Sequence, residues 1–311
     1  MLAKLASKKA AFHCQLVASR PETNVQSART VSYWRLGNII SAAGSFHIFR
    51  AAPKAMLEND SFDYVIKLVN PNLEGEEAAA ALDRLSEEAI STELLDHHGV
   101  IPLLDAELDK APFFLVEPWI AGGSLDQFMA KSQNMSMIQA LWIIRQVAEA
   151  IAAAHQRGRV YLGLDPSHVL MRTGGRIVLI GWSNSYSISQ PIRSPKNRLQ
   201  TIRYSAPECF EVGAFARKPS DIYSLGIFIY NLFAGRTPFN GPDYDSIVKS
   251  HRDEQPIELI RHQPLCPTRL GQLTRRMLDK DPYNRPEISE VMEQLISIEI
   301  ENLENPALIE L

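Results

Sequence analysis

At 311 residues, with 45% hydrophobic and 22% charged side chains, the chain has the composition of a folded globular protein and not of a disordered or fibrous one. A formal charge of −4 and a pI near 6.1 supply no basic field, so nucleic acid is not expected as a partner. Three widely spaced cysteines, Cys14, Cys209 and Cys266, form neither a disulfide framework nor a metal clip, which fits a reducing, cytoplasmic setting.

Residues 1–31 carry Lys4, Lys8, Lys9 and Arg20 with no acid before Glu22, and without the continuous apolar run of a secretory signal they read as a basic, flexible arm. From residue 32, YWRLGNIISAAGSFHIFRAA and YVIKLVN are rich in aromatic and β-branched residues punctuated by glycine, the pattern of strands joined by turns. Good helix formers over residues 73–95 predict an amphipathic helix, and VIPLLDAEL and PFFLVEPWI predict two more strands before the AGGSL connector. Beyond it the pattern turns helical, first in MSMIQALWIIRQVAEAIAAAHQRG, where Gly158 ends the run. HVLM and RIVLIGW read as short strands around Thr173 to Gly175, and residues 183–201, aperiodic and holding Pro191 and Pro195, predict an exposed, mobile loop. DIYSLGIFIYNLFAG is apolar nearly all round, so it belongs at the centre of a helical lobe, with Gly235 as its cap. Its most apolar stretch, residues 222–233, falls short of the roughly 20 residues of a membrane span. A β-rich segment followed by a connector and an α-rich segment predicts an α+β fold of two lobes with a cleft at their junction.

In order along the chain, YVIK at Lys67, SEEA at Glu88, HHGVIPLLD, VEPWIAGGSL, LDPSHVLM, TIRYSAPE, SDIYSLGIFIYNLFAGRTPF and DPYNRP resemble the eukaryotic-type Ser/Thr protein kinases, particularly their bacterial branch. The resemblance implies a two-lobed protein-kinase fold over residues 32–296, with a small β-rich N-lobe (32–116), a hinge (117–123), a larger helical C-lobe (124–296) and a tail (297–311). It implies that Lys67 pairs with Glu88 and faces nucleotide phosphates. Val65 and Val116, the latter at the gatekeeper-like position, would line an adenine pocket, with Glu117 and Trp119 offering hinge backbone groups. Glu208 and Arg285 match a buried ion pair of the C-lobe. Asp221 matches a residue that braces the catalytic loop, and its place at the start of a helix equally suits a cap.

The same register shows what is missing. Active members carry His-Arg-Asp-Leu-x-x-x-Asn, in which the Asp takes the substrate proton and the Asn holds magnesium; here the string runs Tyr161, Leu162, Gly163, Leu164, Asp165, Pro166, Ser167, His168. The Asp-Phe-Gly triplet with the other magnesium ligand is Gly181, Trp182, Ser183, and the glycine-rich phosphate loop is Ser41, Ala42, Ala43, Gly44, Ser45, Phe46. The expectation is a pseudokinase acting as a protein-binding scaffold, with no cofactor required, no metal at His168 or Gly181, and at most weak, magnesium-independent ATP binding. The alternative is a low-activity Ser/Thr kinase using Asp165 as substitute base or metal ligand; an Asp before Pro also simply starts a turn. Other nucleotide chemistry on the same fold is a third reading.

Overall fold

The computed structural model describes residues 29–42, 44–56, 61–131, 135–192, 202–211 and 213–303. The basic arm up to residue 28, Ala43, residues 193–201 and the tail beyond 303 lie outside them. The chain divides into two compact units, one running to Asp96 and resuming over Ile101–Trp119, the other taking His97–Val100 and everything from Ile120.

The first unit is an antiparallel sheet with one long helix. Its strands are β1 (Thr30–Val31), β2 (Trp34–Ser41), β3 (Phe46–Pro53), β4 (Tyr64–Val69), β5 (Asp105–Glu107) and β6 (Phe114–Pro118), in the spatial order β1-β2-β3-β4-β6-β5. Residues directly opposite one another in such a ladder share a face. Phe49, Ile66 and Val116 form one row and Leu68 and Phe114 the next, and with Ala51 they make a buried core flanked by Trp34, Leu36 and Tyr64. The opposite face carries Ile48, Lys67 and Leu115 in one row and Arg50, Val65 and Glu117 in the next. The expected helix appears as α1 (Gly75–Leu94), with Ala81, Leu85, Glu88, Ala89 and Thr92 buried along its inner stripe, packed on β4 and β6.

The second unit is mostly helical: α2 (Leu125–Ala130), α3 (Met137–Gln156), α4 (Lys218–Ala234), α5 (Tyr244–Asp253), α6 (Thr268–Met277) and α7 (Ile288–Leu303). A capping box opens α3, where Gln139 N–H donates to Ser136 Oγ at 3.2 Å and Ser136 N–H to Gln139 Oε1 at 3.0 Å. By length and composition α3 could cross a membrane, yet 67% of its apolar window is buried within the protein and it packs on α4 and α7, so it is a core helix. The centre of α4 is buried continuously from Ser220 to Tyr230, and Gly235 ends it in the left-handed region at φ 68°. The short strands β8 (Val169–Met171) and β9 (Ile177–Leu179) pair as a hairpin-like unit. Connector residue Gly122 lies so close to it that a Cβ would fall 2.1 Å from the Met171 carbonyl oxygen, which only glycine allows. The stretch expected as an irregular loop is partly regular, since β10 (Tyr186–Ser187) pairs with β7 (Arg159–Val160) and Pro191 bridges to Phe215; residues 193–201 lie outside the described part.

Candidate functional site

On the first unit, the centre of interest is the Lys67 face of the sheet. The Lys67 ammonium donates to both carboxylate oxygens of Glu88, at 2.7 and 2.8 Å, and the two side chains are 12% and 0% exposed. The Phe46 ring lies 5.5 Å from the same ammonium, and Arg84 stacks on that ring while donating to Ser45 Oγ. Asn70 fixes the adjoining turn, its Nδ2 donating to Gly44 O at 3.0 Å and its N–H to Ser45 O at 2.9 Å. The segment in the place of the phosphate loop is thus tied to its own unit by side chains, with an aromatic ring against Lys67.

The register corrects the expected pocket. Val116 opposes Ile66 and lies in the core on the face away from Lys67; Glu117 is the residue on the Lys67 side. Trp119 N–H donates to Asp63 O at 2.8 Å and Val69 N–H to Phe113 O at 3.0 Å, which makes Val65 and Glu117 a hydrogen-bonded pair by the alternation of the ladder. The backbone groups of Glu117 and the N–H of Trp119, expected to be offered to a ligand, are committed to the sheet. Val65 does share the Lys67 face. Glu117 is 6% exposed, and its Oε1 has no hydrogen-bond partner among the described residues. Burial, and after it the negative charge of Glu88, pushes this carboxyl up to about 8, against the opposing pull of Lys67.

On the second unit, the loop after β7 brings the substituted positions together. Asp221, in the first turn of α4, accepts N–H bonds from Tyr161 and Leu162, both at 2.8 Å, and lies 2.9 Å from His155 Nε2. It therefore braces the loop, and the residue at the α4 N-cap is Arg217. The brace holds Leu162 at φ 47°, a left-handed conformation unfavourable for a leucine. Gly163 follows, and its carbonyl lies 2.7 Å from His168 Nδ1. Because a carbonyl only accepts, Nδ1 carries the proton. The same imidazole lies 3.0 Å from the place a Cβ on Gly181 would take, and Gly181 sits at φ 75°. Tyr161 stacks on the fully buried Trp182 with ring centroids 4.4 Å apart, and Trp182 Nε1–H donates to Leu179 O at 3.1 Å. Asp165 caps the turn Pro166–His168, accepting from Ser167 N–H at 2.7 Å. Its charge, after burial, helps to hold the Tyr204 phenol well above the usual tyrosine range.

The expected clamp is present. Arg285 meets Glu208 through two bonds of 2.7 and 2.9 Å and donates to the carbonyls of Asp279 and Pro219 at 2.8 and 2.9 Å.

A family profile described as "Protein kinase domain" matches residues 50–296. The chain belongs to the protein kinase domain family. Its α+β architecture, with the β-rich unit preceding the helical one, is that of the protein-kinase fold. The profile match begins after the 41–46 segment. Among relatives, the serine/threonine-protein kinase PrkC of Bacillus subtilis is 29% identical over 211 residues, 68% of this chain and 32% of the relative. The probable serine/threonine-protein kinase PknB of Lactococcus lactis is 26% identical over 229 residues, 73% of this chain and 36% of the relative. CBL-interacting protein kinase 31 of Oryza sativa is 25% identical over 283 residues, covering 89% and 60%. The aligned part spans about a third of the length of PrkC and of PknB.

Within this kinase fold the structure pairs Lys67 with Glu88 and Glu208 with Arg285, and packs Gly163, His168 and Gly181 together. Sequence reading missed the Glu117 side chain, the Phe46 ring and the Tyr161–Trp182 stack. Strand alternation counted from Lys67 across to β6 finds Glu117 once the register is known, and an aromatic beside each substituted position was the available signal for the other two.

Proposed function

We propose that this chain is a pseudokinase, a kinase-fold protein that binds a protein partner in place of transferring phosphate, requires no cofactor, and takes ATP at most weakly and without magnesium. The observation that carries the reading is the mutual packing of Gly163, His168 and Gly181. The position of the proton acceptor has no side chain, and an imidazole occupies the space beside the position of the metal carboxylate. Magnesium takes oxygen ligands, preferably carboxylates. The residues present do not fit it, and no group of three or more His, Cys, Asp or Glu side chains gathers among the described residues.

Magnitudes favour the same side. Kinases turn over at about 1 to 100 per second; a general base is worth roughly 10² to 10⁴ and preorganised charge stabilisation about another 10² to 10³. Even imperfectly additive, these losses leave a rate too slow for signalling. The alternative, a low-activity kinase with Asp165 as base, is weakened because that carboxylate already accepts the Ser167 N–H as a turn cap. The names of the relatives support descent from enzymes that phosphorylate serine and threonine. The cysteine pattern supports a cytoplasmic setting.

A thermal-shift titration with ATP, with and without magnesium, tests the reading, because a ligand that binds only the native state raises its stability. A small shift indifferent to magnesium, or no shift, is expected; a large magnesium-dependent shift contradicts it.

A further inference from the structure

We propose that the apolar cavity beside α6, in the helical unit, is the seat of residues 306–311 of this same chain, which turn back from the end of α7 to fill it. The inference is independent of whether the chain transfers phosphate.

Three observations converge on it. The first is the cavity itself, about 270 Å³ walled by Tyr230 of α4, Ile257, Leu259 and Ile260 of the turn before α6, and Leu278 just after α6. Ile257 and Ile260 remain 51% and 41% exposed there, and beyond its own helix nothing among the described residues lies within 4 Å of the place a Cβ on Gly271 would take. Apolar surface left open in this way marks a place for an interaction.

The second is where α7 delivers the chain. Arg276 donates to Glu290 at 2.6 Å near one end of α6, and Arg269 donates to Ser297 Oγ at 3.1 Å and to Glu301 near the other, so the two helices run antiparallel. The last turn of α7 therefore lies beside the start of α6, whose first residue, Thr268, lines the cavity. Fully extended, residues 304–311 span up to about 26 Å, whereas the ten residues of α6 rise only about 15 Å. The tether is long enough, and Pro306, which a helix interior does not accommodate, turns the chain off the α7 axis.

The third is chemical complementarity. Residues 307–311 read Ala, Leu, Ile, Glu, Leu, an apolar segment carrying one acid, with Glu304 before it. The cavity offers apolar walls with Arg275 at its edge and the exposed Arg261 one residue beyond Ile260. Glu258, the one acid among the lining residues, meets Arg275 at 3.7 Å with side chains 55% and 73% exposed, a contact worth little, so Arg275 is open to a second carboxylate such as that of Glu310.

The test uses the full chain in two ways. In Gly271→Cys with Leu308→Cys, mild oxidation is expected to join the new thiols within one molecule, since a disulfide needs Cα atoms within about 7 Å of each other. Mass spectrometry identifies the linked peptides, and the yield should not change with protein concentration. A pair made from Arg269→Cys and Leu308→Cys, as close to the end of α7 but off the cavity face, should link at least about tenfold more slowly, because a seated segment has a high effective concentration at one place only. Independently, Leu308→Asp with Ile309→Asp, which lies beyond α7 and leaves the described core intact, should raise hydrogen exchange of the 257–262 amides at least about fivefold by withdrawing their cover. The proposal is overturned if the Gly271 pair links no faster than the Arg269 pair, if it links only between molecules, which would seat a second copy instead, or if exchange over 257–262 is unchanged by the two aspartates.

Discussion

At Glu117 a carboxyl group enters a row otherwise made by Arg50 and Val65, and it is buried there. Its folded value near 8 against a reference of 4.5 means that the native state keeps a proton the unfolded chain loses between those values. Stability should therefore fall as pH rises through that window and level off above about 8, with a slope of up to about 1.4 kcal/mol per pH unit from this group. Denaturant titrations from pH 5 to 9 are expected to show that slope in wild type and its loss in Glu117→Gln; parallel profiles would contradict the burial of the acid. The partners Lys67–Glu88 and Glu208–Arg285 were legible in the sequence, because short strings fix them to a strand, a helix and two turns. The identity of the residue facing Lys67 from β6 was not, because a one-residue shift in strand register exchanges the two faces, placing Val116 in the core and Glu117 at the site. Likewise the residue types at Gly163, His168 and Gly181 could be read from the string, whereas the packing of His168 on Gly181 could not. That contact predicts that Gly181→Asp costs about 1 to 3 kcal/mol, from a left-handed φ and a crowded imidazole. Adding His168→Asn should recover part of the loss in chemical denaturation, and a single variant as stable as wild type would refute the contact.

Among the elements, α4 and the turn before α7 hold the helical unit to its loops. Asp221 ties α4 to the strained Leu162, and Arg285 closes on Glu208 while satisfying carbonyls from two segments. The Arg285 side chain is fully buried, so truncation leaves a carboxylate and several carbonyls without their donor. Arg285→Ala is expected to cost about 3 to 5 kcal/mol of unfolding free energy, measured by urea titration; a loss below about 1 kcal/mol would show the pair to be incidental. The helical pattern of α1, α3 and α4 was readable because each has a long apolar stripe or a cap. The pairing of β10 with β7 was hidden, since two-residue strands carry no periodicity.

Across the whole molecule, the described residues hold the Lys67–Glu88 pair, the Asp221 brace and the Glu208–Arg285 clamp. Gly163, His168 and Gly181, on which the proposed reading rests, pack against one another. The buried Lys67–Glu88 pair on the sheet fits the proposed binding role. The most direct test is incorporation of labelled γ-phosphate from ATP with magnesium or manganese, over hours, into the chain itself and into a general protein substrate, beside Lys67→Ala and Asp165→Asn. The account predicts incorporation indistinguishable among the three proteins; metal-dependent incorporation that disappears in either variant would contradict it.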